Sequence, residues 1–540
     1  MNHKSLEFKS EIFKGNESLK NKNFKDAKIY FEKAANIMSN VPDVYNTLGN
    51  INLNLNEIDT AITNFKKAIS LKKNYSPAYC NLGTAFTKIK KDAQALESFI
   101  KAIEIDPKNF IAHFNLANLY KSQDKIDQAE KSYLLAIEIK PDLIVLYNNL
   151  FDLYDRSNQY LKLNETINKA IEVFKKHPVI DFFIGVVEFK KKNYLQAINI
   201  FENINLDKND YKRVAFKDNM LAKSYDHLGK YEKAYNYFEK SNLVTQSSNK
   251  NIDKNIYLNI VKKRFDYFSK INQKKLNDFK KNDDFEDPIF LVGFPRSGTT
   301  LLDTILRTHG SIEMLEEKPI VEKFIYELML KIKGNFFELD NINQNNFDKF
   351  RKKYFDLRKN FITSNESKIY IDKLPLNIIH IGEIIKFFPN SKFILALRNP
   401  YDVVLSCFMQ SFLPNPAMAN FFNLSDTIYL YDLVMSLWEK YNDIFKLNVF
   451  TIKYEDTVLR FEDTIRDLLN FLNLDWSDNL KEFYKTAEKR GIINTPSYDQ
   501  VSKPLYNQSI NRWHNYQNKV VDQKFILDKW VRKFNYQTII

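Results

Sequence analysis

Residues 290–300 read Phe290-Leu291-Val292-Gly293-Phe294-Pro295-Arg296-Ser297-Gly298-Thr299-Thr300. The apolar run from Ile289 to Val292 predicts a buried strand, and the Gly/Pro-rich stretch after it predicts a tight turn. From Thr299 the pattern Thr-Thr-Leu-Leu-Asp-Thr-Ile-Leu opens a helix. Strand, tight loop and helix N-terminus together make an anion site, because unpaired N–H groups and the positive end of the helix dipole converge there. Gly293 and Gly298 stand five apart, as in a nucleotide P-loop, but Thr299 occupies the place of the P-loop lysine. The cation is Arg296 instead, inside the loop, where a planar guanidinium can grip an oxyanion.

Downstream, short apolar runs at 312–315, 369–372, 393–397 and 449–454 alternate with helical stretches that begin near Thr299, Pro319, Leu376, Tyr401, Ser425 and Thr457. Alternating strand and helix predicts a central parallel sheet with helices on its faces. Ligands of such sheets sit at the carboxyl ends of the strands.

Upstream, the chain repeats. Gly49, Gly83, Ala117, Phe151 and Gly185 are spaced by 34, and Ala27, Ala61, Ala95, Ala129 and Ala197 keep the same period, with Leu163 in one unit. Small residues at a 34-residue period, where paired helices cross, are the tetratricopeptide-repeat (TPR) pattern. Ala234 falls three residues out of phase, so the last unit follows an insertion. The expected organisation is an N-terminal all-α TPR solenoid of six to seven repeats over 1–245, a charged helical linker over 246–284, and an α/β P-loop-like domain with a central parallel sheet over 285–540. In the linker, Lys262-Lys263-Arg264 reads as a solvated face. Tyr45, Tyr79 and Tyr147 recur at one helical position and read as packing residues.

The chain has 540 residues, 44% hydrophobic and 27% charged, with a formal net charge of +13. A basic balance suits an anionic ligand. No arginine cluster with interleaved aromatics supports nucleic-acid binding. Two cysteines, Cys80 and Cys407, fall in different predicted domains, so neither a disulfide framework nor a cysteine zinc site is expected. The scattered histidines, His309 and His380 among them, read as core residues, and no metal site is expected. No apolar stretch reaches the length of a membrane span, and a cytoplasmic setting is expected.

Four further stretches carry candidate site residues. Leu397-Arg398-Asn399-Pro400 ends a strand in an arginine, with Ser406 about two helical turns on. Met314-Leu315-Glu316-Glu317-Lys318-Pro319 places two carboxylates at a strand end, where helix-dipole pairing and proton transfer both suit an acid. Ile371-Asp372-Lys373-Leu374-Pro375 sets Lys373 just past a strand, and Tyr454 ends another. Ser497-Tyr498-Asp499-Gln500-Val501-Ser502-Lys503 and, later, Ile510-Asn511-Arg512-Trp513 form a long polar loop. Each stretch alone also has a structural reading: a capping arginine, a solvated lysine, a packing tyrosine.

In this order the motifs resemble those of sulfotransferases that use 3′-phosphoadenosine 5′-phosphosulfate (PAPS), and the tyrosylprotein sulfotransferases in particular, over roughly residues 288–516. The resemblance implies a sulfotransferase fold and transfer of a sulfuryl group from PAPS to an acceptor hydroxyl, leaving 3′-phosphoadenosine 5′-phosphate. It implies Glu317 as general base, 21 residues after the loop arginine as in the family. Lys373, Ser497 and Arg296 would stabilise the transition state. Arg296, Ser297, Gly298, Thr299, Thr300, Arg398, Ser406, Tyr454, Gln500, Val501, Lys503 and Arg512 would contact the nucleotide. The family's substrate-reading arginines map to Pro319 and Lys323, so recognition of an acidic tyrosine peptide does not follow. A peptide tyrosine, a carbohydrate and a small phenol all qualify as acceptor. The solenoid's concave face is expected to take a protein or peptide. Two rivals remain. One is a TPR scaffold with an inactive, nucleotide-sensing domain. The other is a P-loop kinase, disfavoured by the missing loop lysine.

Overall fold

The repeat turns into structure through one recurrent packing pair. In a computed structural model that describes residues 3–271, 279–362, 368–489, 503–505 and 507–536, the chain divides into two compact units, Met1–Lys191 and Lys192–Ile540. The first unit is a series of antiparallel helices, from His3–Lys20 and Phe24–Ile37 to Tyr160–Phe174 and Pro178–Lys190. A Cβ added to Gly15 would lie 2.7 Å from the Phe31 ring, and one added to Gly83 would lie 2.6 Å from the Phe99 ring. The first helix of a repeat thus gives up a side chain so that an aromatic from the second can seat against its backbone. In the fifth repeat the exchange runs the other way. Phe151 and Leu163 replace the small residues, and Ile167 stands where other repeats carry Phe31, Phe65, Phe99 or Tyr133; all three are buried. Volume is traded between helices and the packing survives.

A second periodic feature lies in the backbone. Lys22, Asn56, Lys90, Asp124, Asn158 and Lys192 all adopt positive φ, between 54° and 64°, and stand 34 residues apart. Each ends the turn between the two helices of a repeat. The next such residue is Gly229 at φ 70°, three positions late, like Ala234.

The second unit begins well before residue 285. Helices Tyr194–Asn203, Tyr211–His227, Tyr231–Ser248 and Asn255–Phe268 belong to it. The segment expected to be a charged linker contributes core: Leu258, Val261, Tyr267 and Phe268 are buried, and so is Arg264. Arg264 donates through Nε to Glu383 at 2.9 Å and meets His380 Nδ1 at 3.0 Å. The solvated reading therefore holds for Lys262 and Lys263, which are exposed, and fails for Arg264. A basic triplet on a helix hides its one buried member, because a charge with a buried acidic partner looks the same in sequence as a solvated one.

Among the described residues the sheet has five parallel strands, β1 (Ile289–Gly293), β2 (Ile312–Glu316), β3 (Ile369–Lys373), β4 (Lys392–Leu397) and β5 (Asn448–Lys453), in the order β2-β3-β1-β4-β5. On one face, helix Thr299–Arg307 seats Leu301, Leu302, Ile305 and Leu306 on Leu291, Met314 and Ile394, beside Ile465, Leu468 and Leu469 of helix Phe461–Leu472. On the other face Phe290 stacks on Phe393 at 5.7 Å, with Tyr354 edge-on at 6.1 Å. The connection from β1 runs towards β2 and that from β3 runs towards β4. The strand order therefore reverses at the adjacent pair β1/β3, and ligands of such sheets bind at the carboxyl edge of a reversal.

Gly382 marks where helix Asn255–Phe268 enters the core, since a Cβ there would overlap the Phe268 ring. Phe268 is fully buried and has no room to retreat. Gly382→Ala is expected to cost about 1–3 kcal/mol, read as a lowered denaturation midpoint of the full chain. An unchanged midpoint would show that helix 255–268 docks loosely, as a linker would.

Candidate active site

The loop after β1 is shaped by two backbone requirements. A Cβ at Gly293 would lie 2.7 Å from the Ala396 carbonyl and 2.7 Å from Ser297 Oγ, so only glycine lets the loop fold back against β4. Arg296 and Gly298 take φ of 71° and 98°. The turn closes with a hydrogen bond from Ser297 N–H to Phe294 O at 3.2 Å. Helix Thr299–Arg307 starts at once, so its first N–H groups face the loop without intrahelical partners. Ser297, Thr299 and Thr300 are buried there, and Ser297 Oγ makes no hydrogen bond.

The edges of β4 and β5 bring the remaining cations and hydroxyls to this loop. Ser406, on helix Pro400–Phe408, accepts from Arg296 Nε at 2.9 Å. Cys407 Sγ, on the same helix, donates to Pro295 O at 3.3 Å. Arg398 donates to Arg296 O at 3.4 Å and to Ser509 O at 2.5 Å, and its guanidinium lies 5.0 Å over the Tyr454 ring. Its Nε is buried without a hydrogen-bond partner. Tyr454 opens a short helix after β5 and packs 3.0 Å from where a Cβ of Gly298 would be. Two buried polar atoms without partners, Ser297 Oγ and Arg398 Nε, thus flank a helix N-terminus that also carries an arginine. That donor set fits a multiply charged anion.

On the other side of β1 the acidic pair meets the lysine. Glu316 pairs with Lys373 in the strand register, and Glu317 N–H donates to Lys373 O at 2.7 Å. Glu317 itself has φ 48°, which turns the chain off the sheet. Lys373 Nζ is 3.1 Å from Glu317 Oε1 and 3.4 Å from Glu316 Oε1. The lysine side chain is 0% exposed, Glu316 12% and Glu317 39%. Burial works against the lysine's charge, but the two carboxylates, Glu317 foremost, outweigh it and hold its pKa above the ordinary value. Glu316 also lies 3.9 Å from Arg307, which pairs with buried Asp303 at 3.0 Å.

Lys503 is exposed. Arg512 donates to Asp226 at 2.8 Å. Ser497, Gln500 and Val501 lie outside the described residues. Sequence reasoning missed Asp402, whose buried carboxylate accepts the N–H groups of Asn511 and Trp513 at 2.8 Å each. An acid in the first turn of a helix was the available signal, but its partners lie over a hundred residues away. His309 and His380 are both hydrogen-bonded in the interior, to Asp475 O and Arg264. Among the described residues no group of three or more His, Cys, Asp or Glu is placed to hold a metal, and no helix is long and apolar enough to cross a membrane.

Residues 288–478 match the model of the Sulfotransferase family. Models of the tetratricopeptide repeat match residues 42–75, 85–124, 110–143 and 219–244. The chain thus joins stretches that match tetratricopeptide repeats to one that matches the sulfotransferase family. It resembles the protein-tyrosine sulfotransferases. That of Drosophila melanogaster is 23% identical over 251 residues, 42% of this chain and 46% of that protein. Protein-tyrosine sulfotransferase 1 of Danio rerio is 25% identical over 241 residues, 42% of this chain and 65% of that protein. An uncharacterised protein of Aquifex aeolicus (strain VF5) is 30% identical over 257 residues, 46% of this chain and 33% of that protein. The chain thus spans between a third and two thirds of the length of these relatives.

One position before Lys373, Asp372 points to the opposite face of β3. It is buried, accepts from Tyr354 OH at 3.1 Å, and lies within the field of Arg358. Burial pushes its carboxyl up to about 7, against the opposing pull of Tyr354 and Arg358. An unfolded aspartate titrates near 4, at roughly 3.9. Between those values the native state holds the extra proton, so stability falls as pH rises through that window. Asp372→Asn keeps the acceptor for Tyr354 and removes the titration. The variant is expected to melt higher than wild type at pH 8, with the gain shrinking as pH is lowered towards 4. A gain independent of pH would place the cause elsewhere.

Proposed function

We propose that the second unit transfers a sulfuryl group from PAPS to an acceptor hydroxyl, with a protein tyrosine as the favoured acceptor. The loop 293–300 with Arg296 holds the 5′-phosphosulfate end. Arg398, with Ser406 near it, holds the 3′-phosphate, and Tyr454 lies against the loop. As the acceptor oxygen bonds to sulfur, the bond from sulfur to the 5′-phosphate oxygen breaks and the acceptor proton passes to Glu317. The loop amides, Arg296 and Lys373 stabilise the charge that builds on the sulfuryl and bridging oxygens. In this reading Ser497 joins them at the transition state, and Gln500, Val501, Lys503 and Arg512 contact the nucleotide.

The observation that carries it is Lys373, a fully buried ammonium shared by two carboxylates at the carboxyl edge next to the anion loop. A domain that only sensed nucleotide would need no such group, and the pair has unequal members. Glu316 is enclosed by Lys373 and Arg307, whereas Glu317 is the more exposed. The exposed member can reach a hydroxyl and take its proton. The names of the relatives favour a tyrosine acceptor, and the repeats of the first unit can raise the local concentration of a protein that carries it.

Calorimetry tests the donor: 3′-phosphoadenosine 5′-phosphate is expected to bind and ATP to bind far more weakly. The reverse order would favour a kinase. Arg398→Ala is expected to weaken 3′-phosphoadenosine 5′-phosphate by about 2–4 kcal/mol, and more than an analogue without the 3′-phosphate. Glu317→Gln is expected to leave that binding nearly intact and lower turnover roughly 10²–10⁴-fold, with Glu316→Gln doing much less. Binding without turnover in the wild type would support the nucleotide-sensing scaffold.

A further inference from the structure

Helix Pro400–Phe408 links twice to the anion loop, through Ser406 and Arg296 and through Cys407 and Pro295. What fixes that helix comes from far upstream. The last carbonyls of a helix have no intrahelical partners. Here those of Phe408 and Met409 point at the antiparallel helices Tyr211–His227 and Tyr231–Ser248. Asn242 Nδ2 donates to Phe408 O at 2.8 Å, and Asn219 Nδ2 donates to Met409 O at 3.1 Å. Both asparagines are buried, so each amide replaces water as the partner of its carbonyl. Tyr235 stacks on Phe408 at 5.1 Å.

The same helix pair grips the opposite wall. Asp226 accepts from Arg512 at 2.8 Å and from the Tyr516 hydroxyl, and Glu232 pairs with Lys519. Between these anchors Asn511 and Trp513 donate to Asp402 on helix Pro400–Phe408, and Ser509 O accepts from Arg398. Hairpin, helix and C-terminal segment form a closed ring around the two arginines.

We propose that the helix pair 211–248 is a positioning element of the donor site. Asn219, Asn242 and Asp226 hold the Ser406 helix and segment 509–516 so that Arg296 and Arg398 face one anion together. Donor affinity is therefore set in part by residues that never meet the donor. Residues 219–244 match a tetratricopeptide model, so a repeat-type hairpin has become part of the enzyme's own site. The inference rests on the donor assignment above.

Reciprocity gives a test that needs no variant. If the hairpin positions the arginines, a ligand on the arginines must stabilise the hairpin. On the full wild-type chain, 3′-phosphoadenosine 5′-phosphate is expected to slow amide exchange in 211–248 roughly 3–10-fold, beyond any change in the first-unit helices over 58–105. The second test is Asn242→Asp, which keeps the shape but turns an acceptor towards the Phe408 carbonyl. The KM for PAPS is expected to rise roughly 10-fold, with kcat within about twofold. If that variant does not fold, Asp226→Asn is measured instead; it keeps an acceptor for Tyr516 but removes the charge facing Arg512, and the same split is expected, with Asp226→Glu restoring part of the loss. A wild type that fails to bind 3′-phosphoadenosine 5′-phosphate would overturn the donor assignment and this proposal with it. A wild type that binds, with unchanged hairpin exchange and unchanged KM in the folded variants, would overturn the positioning role alone.

Discussion

An ammonium with no exposed surface must be neutralised where it stands, and Lys373 imposes that condition on the edge of the sheet. Removing its partners would leave a buried charge uncompensated, at a cost of roughly 3–5 kcal/mol. The register of β2 on β3 sets Glu316 opposite it, and the N–H of Glu317 holds its carbonyl. Strand pairing and ion pairing thus specify one another. The left-handed φ of Glu317 follows from the same contact. The chain must leave β2 immediately after bonding to β3, and that turn exposes the Glu317 carboxylate while Glu316 stays enclosed. Two adjacent acids acquire different exposure from one backbone angle.

The sheet was legible because its strands are short apolar runs with polar ends. All five appear within a residue or so of the positions read from the sequence, and Gly293 explains itself once β4 is seen to approach. Less of the site was legible. The spacing from Arg398 marks Ser406 as a candidate hydroxyl, but its bond to Arg296, 110 positions away, has no sequence signal. Arg264 was read as solvated and is buried on Glu383. Asn219 and Asn242 had no visible signal, because a buried amide that caps a distant helix is indistinguishable in sequence from a surface asparagine. Local periodicity reports which face of an element is apolar. It cannot report which polar residues of that face find partners across the fold.

The repeat shows the same division. Its small and aromatic positions were readable because their volumes recur. Its turns were less so, because Asn56, Asp124 and Asn158 are of types that tolerate the left-handed region, whereas Lys22, Lys90 and Lys192 share the conformation without that signal. Left-handed backbone at non-glycine residues costs about 1–2 kcal/mol each. Its persistence through six turns shows that helix packing on both sides dictates the angle. Gly229, at the seventh, meets it without strain.

The anion loop obeys that logic on a smaller scale. Arg296 is left-handed too, as the third residue of the turn that Pro295 opens and the bond from Ser297 N–H to Phe294 O closes. Three contacts from outside hold that turn: Ser406 on the Arg296 side chain, Arg398 on its carbonyl, and Cys407 on the carbonyl of Pro295. A strained residue lasts only where its surroundings over-determine it, so the loop's shape belongs to helix Pro400–Phe408 as much as to its own sequence. That helix is held by elements at 211–248 and 507–516, outside the 288–478 that match the family. The matched region supplies the sheet, the loop and the charged edge. The rigidity that makes them a site is supplied by parts of the chain the family match does not reach.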